Sequence, residues 1–151
     1  MALPGIFRAM GPVMQELQRH EILETNAVSG KYGLALTEEE AAEIVEVRNQ
    51  LLQGYGRVEL DMEAARKLIY SFSASPFVSQ EDYSSGIKEL QEVFYYLKSE
   101  TNDELGDDKL IEIIMEMLND SCEGAIELLK GRELEAFVRE HRLKCFTNNC
   151  L

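Results

Sequence analysis

Between Pro76 and Gly106, the residues Tyr83, Ile87, Leu90, Phe94 and Leu97 recur at steps of four and three. That period puts all five on one side of an α-helix, whereas a strand would divide them between two faces. Ser79, three residues before Asp82, resembles a capped start, so the spacing predicts a helix over about 80–100. Twenty residues of helix extend about 30 Å. An apolar stripe of that length is stable only when other elements cover it, so the rest of the chain has to supply a surround.

The surround reads as further helices. Pro12 after Gly11 predicts a helix start, with Val13, Met14, Leu17, Ile22 and Leu23 on its apolar side to about residue 24. Thr37 and Glu40 make a capping box, and Glu38 to Glu40 suit the positive end of the helix dipole. Ala41, Ile44, Val45, Leu51 and Leu52 form the next stripe, which Gly54 and Gly56 end near 53. Asp61 caps a helix carrying Met62, Ala65, Leu68, Ile69 and Phe72, with a break before Pro76 near Ser75. Asp107 and Asp108 open a helix that is apolar around much of its girth, and it is expected to be the most buried. Ser121 starts a short helix ended by Gly131, and a last one over about 132–143 carries Leu134, Phe137 and Val138.

Alternation at Tyr32, Leu34 and Leu36, and again along Arg57-Val58-Glu59-Leu60, allows one short two-stranded β element pairing 32–36 with 57–60. The expected fold class is mainly α, a single-domain bundle of six or seven helices. The one domain spans 1–151, compact over about 12–144, with a frayed tail from 145 to 151.

Charge narrows the function classes. The chain carries 15 basic and 28 acidic residues, a net charge of −13. Residues 37–127 alone hold seven basic and 22 acidic groups. Such a surface repels nucleic-acid backbones and anionic membranes, and it suits a basic partner or a cation. At 45% hydrophobic residues the composition is that of a folded domain, not a disordered one. No apolar run reaches the eighteen or so residues of a membrane span, and the start MALPGIFRAM lacks a basic region and an apolar core, so no secretory signal is expected. Three cysteines, Cys122, Cys145 and Cys150, fit a reducing compartment and predict a cytoplasmic protein.

Few constellations carry chemistry. Residues 101–112 laid on the twelve-residue calcium loop match at Asp103, Gly106 and Glu112, but Thr101, Leu105 and Lys109 fail at ligand positions. Asp103, Asp107, Asp108 and Glu112 thus read as an acidic helix–helix turn, with a cation as the sharper alternative. His141, Cys145 and Cys150 are three zinc-type ligands at spacings of four and five, with Cys122 a fourth only if the fold brings it near; the bland reading is a tail with thiols of no role. His20 and His141, the two histidines, are expected on solvent-exposed faces, so no base pairs with a nucleophile. Cys122 stands near a helix start, where a dipole lowers a thiol pKa, but Glu123 opposes it. No Gly-x-Ser-x-Gly elbow and no phosphate cradle is present. No catalytic residue and no cofactor is assigned.

Val93-Phe94-Tyr95-Tyr96-Leu97 places five bulky residues in a row, covering more than one helix face. Phe94 and Leu97 belong to the core stripe. Tyr95 points away from it and Tyr96 lies between, so the pair is a candidate interaction face, against the plainer reading of a helix buried on two sides. Arg48 lies on an apolar line and is expected to snorkel its head to one of the many acids.

The stretch from Tyr32 to about Arg142 resembles a family of small bacterial proteins of unknown function, mainly from Gram-positive anaerobes. The resemblance rests on Tyr32-Gly33-Leu34, Gly56-Arg57-Val58-Glu59, Ser75-Pro76-Phe77, Glu89-Leu90-Gln91-Glu92-Val93-Phe94-Tyr95-Tyr96, Asp107-Asp108-Lys109-Leu110-Ile111 and Glu127-Leu128-Leu129. It implies a bacterial cytoplasmic protein and carries over no functional residue. Together these readings predict a non-enzymatic, acidic, helical protein–protein interaction module that binds an unidentified protein partner or itself. The alternative is a small-molecule or metal-binding protein with a pocket between helices.

Overall fold

The computed structural model describes the backbone of residues 2–147 and the side chains of residues 11–146. Six helices of ten or more residues run α1 (Ala2–Glu24), α2 (Glu38–Gly54), α3 (Glu63–Ser73), α4 (Gln80–Glu100), α5 (Asp107–Glu116) and α6 (Leu134–Thr147). No strand occurs among the described residues. The mainly α bundle is therefore the observed fold, without the β element.

Helix α4 is the hub. It packs against α2, α3, α5 and α6, while α1 lies on α2. Tyr83, Ile87, Leu90, Phe94 and Leu97 are each at most 1% exposed, so the stripe that predicted the helix is also its buried side. The capping box forms as expected: the Glu40 amide donates to Thr37 Oγ1 (3.1 Å) and the Thr37 amide to Glu40 Oε1 (2.9 Å). At Ser79 the cap differs, because its hydroxyl donates to the Asp82 carboxylate (3.3 Å) and not to a backbone group.

Four further expectations are corrected. Helix α1 is already formed ahead of Pro12, which sits inside it; the fixed φ of proline is itself helical, and the cost is one backbone hydrogen bond. Helix α4, not α5, buries the most residues, since one side of α5 is lined by exposed acids. Gly131 does not end a helix. Instead Met117–Ser121 and Leu129–Glu133 close as π turns around the short helix Ile126–Leu128, and the second runs directly into α6. Phe146, placed in the frayed tail by the sequence, is helical, and residues 148–151 lie outside the described part.

The missing β element has a clear physical reason. Residues 34–36 are extended, but side-chain amides take the place of a partner strand. Asn26 accepts from the Leu36 amide (2.8 Å) and donates to its carbonyl (3.0 Å). On Ala35, Gln80 does the same at 2.9 Å in both directions. The 57–60 segment is held likewise. Arg48, 1% exposed, donates to the carbonyls of Glu59 (2.8 Å) and Asp61 (2.7 Å) and to Asn49 Oδ1 (2.8 Å). Arg48 therefore does not snorkel to an acid; it binds backbone oxygens inside the bundle. Asn49 in turn donates to Gln18 (3.0 Å), joining α2 to α1.

Gly86 stands in the middle of α4 because Phe72 of α3 crosses there. A Cβ at this position would lie 2.7 Å from Phe72 Cζ. Gly86→Ala is expected to destabilise the fold by about 1–3 kcal/mol through overpacking, against the roughly 1 kcal/mol that alanine gains in an open helix. Arg48→Met keeps the apolar stem and removes the donors to two part-buried carbonyls, at an expected cost of about 1–3 kcal/mol. Urea unfolding followed by circular dichroism checks both. An unchanged midpoint for Arg48→Met would contradict the assigned role.

Candidate functional site

A groove of about 650 Å³ runs between α3 and α5. Its floor is apolar, from Ile111, Met115 and the half-buried Tyr70. One wall is a row of exposed acids, Asp108, Glu112, Glu116 and Asp120. The row follows from sequence spacing: residues four apart on a helix are neighbours on one surface. The π turn Met117–Ser121 carries it past the end of α5, and such widened single turns recur at functional sites. Lys67 of α3 closes one end, 2.9 Å from Asp108. Glu112 pairs with Lys109 at 3.3 Å. Among the described residues no basic side chain lies within 4 Å of Glu116 or Asp120, so half of the wall is uncompensated.

The four acids of the calcium-like segment do not converge. Asp103 pairs with Arg57, whose Nη1 is 2.9 Å from Oδ2. Asp107 receives Lys98 at 2.9 Å, and Asp108 and Glu112 pair as above. Each faces a different cation from a different element. The Arg57 guanidinium beside Asp103 holds that carboxyl below its ordinary value. Burial alone would lower the Lys98 ammonium, but Asp107 and Glu59 outweigh it and the net shift is upward.

Tyr95 lies inside the protein, 2% exposed, edge-on to Phe94, with its hydroxyl donating to Glu59 Oε1 (2.7 Å). Burial first, and the adjoining carboxylate second, push its phenol well above the ordinary range. Tyr95 is thus not part of an exposed interaction face, and the plainer reading holds: the girth of α4 is buried on two sides. Tyr96 is half-buried near Tyr55.

Segment 57–60 inverts the usual pattern. The side chains of Arg57 and Glu59 are 19% and 21% exposed, whereas Val58 and Leu60 are 73% and 76% exposed. The charged residues point in because they have partners there: Asp103 and Ser99 for Arg57, and Tyr95 and Lys98 for Glu59. Alternation was visible in sequence, but which phase faced the core was not.

Cys122 is buried at 2% exposure, and burial, with Glu133 adding to it, raises its thiol. Both effects oppose the dipole activation considered from the sequence. His20 is exposed, as expected, beside Glu24 at 3.7 Å. His141 is not exposed as expected: its side chain is 17% exposed and stacks on Phe137. Its Nε2 lies 3.7 Å from Cys145 Sγ and 3.5 Å from Glu104 Oε1, and Cys145 Sγ lies 3.5 Å from Glu104 Oε2. These are the only three His, Cys or acidic groups among the described residues with donor atoms all within 4.8 Å of one another. Glu104 was missed from sequence because it is 37 residues from His141, on the turn between α4 and α5. Cys150 lies outside the described residues.

Fold and groove define an acidic, all-helical domain, and no described helix is long and apolar enough to cross a membrane. A family model matches residues 21–146, and the chain belongs to that family, a family of unknown function (DUF6323). Neither the curated proteins nor the solved structures contain a match to this chain.

The Arg57–Asp103 pair predicts an acid dependence. Because the folded carboxyl titrates below its ordinary value of 3.8, its contribution is complete above that value and is lost as the pH falls through the lower, folded one. Asp103→Asn should reduce stability near pH 7 by less than about 1 kcal/mol, the range of a solvent-exposed pair. The difference from wild type should shrink as the pH falls below 3.8, the carboxyl's ordinary value. Unfolding midpoints across pH check this, and a constant difference would contradict it.

Proposed function

We propose that the protein is a non-enzymatic interaction module whose α3–α5 groove receives a basic, amphipathic segment of a partner protein. The observation that carries this reading is the row of four acids along an apolar floor, two of them without a cation of the protein's own. An apolar helix face flanked by lysines or arginines matches both features, in the manner of helix-in-groove recognition. The net charge of −13 adds long-range attraction for such a segment. In this reading the protein works in the cytoplasm of a bacterial cell, and binding, not chemistry, is its activity.

A synthetic helix of leucine and lysine at helical spacing, carrying a fluorophore, is the probe. Its anisotropy should show saturable one-to-one binding that weakens as salt rises. Glu116→Lys combined with Asp120→Lys is expected to weaken binding at least tenfold. Glu46→Lys combined with Glu135→Lys, the same charge change elsewhere on the surface, should alter it less than about twofold. Equal losses from both pairs would mean diffuse attraction and would overturn the groove.

A further inference from the structure

We propose that Glu104, His141 and Cys145 form a zinc(II) site that fastens the end of α6 to the turn between α4 and α5. The site is separate from the groove and does not depend on it. A zinc ion bound by a thiolate at about 2.3 Å, an imidazole nitrogen at about 2.0–2.1 Å and a carboxylate oxygen at about 2.0–2.2 Å is tetrahedral. Those bond lengths set the ligand–ligand edges at about 3.3–3.6 Å. The separations here are 3.7 Å from Cys145 Sγ to His141 Nε2, 3.5 Å from Sγ to Glu104 Oε2 and 3.5 Å from Nε2 to Glu104 Oε1, so the two contacts fall on different oxygens of one carboxylate. The His141–Glu104 distance is long for an N–H···O hydrogen bond, whose usual length is about 2.9 Å. One ligand atom from each residue lies within 4.8 Å of the other two, so a small rotation of the Glu104 carboxylate brings all three to the edge lengths of one ion.

The ligands are also held. His141 and Cys145 are four residues apart on α6, hence on one surface of it. The His141 ring stacks on Phe137, 6.2 Å between centroids and 14° between planes, which restricts its orientation. Glu104 follows Asn102 and Asp103, whose φ values of 53° and 58° turn the chain sharply after α4. That turn is pinned from two sides: the Thr101 hydroxyl donates to the Leu97 carbonyl (2.8 Å), and Arg57 grips Asp103. One thiolate and one carboxylate balance the two charges of zinc, and three protein ligands leave a fourth position for water. Binding requires the Cys145 thiol to give its proton to the solvent, so affinity should rise with pH. The neighbouring Arg142 is engaged with Glu100.

The test uses the full chain, stripped with a chelator and titrated with zinc alone, then with cobalt(II) for its spectrum. The expected result is one ion per chain, with a thiolate-to-cobalt charge-transfer band and the visible absorption of a tetrahedral ion. His141→Ala, Cys145→Ser and Glu104→Gln, each checked for wild-type helicity, should each weaken zinc binding tenfold or more. Cys145→Ser should also abolish the charge-transfer band. Zinc should raise the melting temperature of the wild type and not of the three variants. Absence of one-to-one binding at micromolar zinc, or a Glu104→Gln variant that binds as tightly as wild type, would overturn the site. The wild-type cobalt spectrum decides the matter even where a variant fails to fold, because a spectrum without the thiolate band would contradict it directly.

Discussion

A guanidinium taken out of water loses hydration worth several kcal/mol, and the loss is tolerable only where every donor that leaves solvent finds an acceptor. At Arg48 the acceptors are the carbonyls of Glu59 and Asp61 and the amide oxygen of Asn49. Among the described residues it is the one charged side chain buried in the bundle. Much of the remaining structure hangs on this contact. Segment 57–62 has no strand partner, and Arg48 supplies the bonds that a strand would have supplied. With the segment fixed, the Glu59 carboxylate meets Tyr95 and Lys98 of α4, and Lys98 reaches Asp107 at the start of α5. A single polar chain thus links α2, the connection to α3, α4 and α5. That polar chain ends on α5, one wall of the groove, and fixes the connection that leads into α3, the other.

The same substitution of side chain for strand occurs at 34–36, where Asn26 and Gln80 grip one short extended piece from two sides. This explains how an all-helical bundle holds two connections that have no strand partner: side chains bond several of their backbone groups. Beside Arg48 it also leaves Val58 and Leu60 outside. Their exposure is the consequence of satisfying Arg57 and Glu59 within, and it shows polar pairing overriding the usual apolar-in preference on a short segment.

Helix periods and caps were readable because they depend on neighbours three or four residues away. The α4 stripe, the Thr37–Glu40 box and the opening of α5 at Asp107 all belong to this local class. Tyr95, Arg48 and the 32–36 and 57–60 segments were misjudged for the opposite reason: their partners lie 10 to 46 residues distant, at Glu59, Asn26, Gln80 and Asp103. The acids of the groove stood in plain view at four-residue spacing, yet nothing local shows that α3 lies beside them. Two of the three groups of the proposed zinc site, His141 and Cys145, stood on one helix face; Glu104 required the tertiary fold. Sequence periodicity therefore reports which surface a helix buries, while long-range polar contacts decide what is done with everything between helices.

Hydrogen–deuterium exchange over the full chain, with and without the leucine–lysine helix, tests the functional core of this picture most directly. Binding in the groove should slow exchange in 63–73 and 107–121 and leave 57–60 and α6 unchanged. Protection centred on Val58 and Leu60, or spread evenly over the acidic surface, would contradict it.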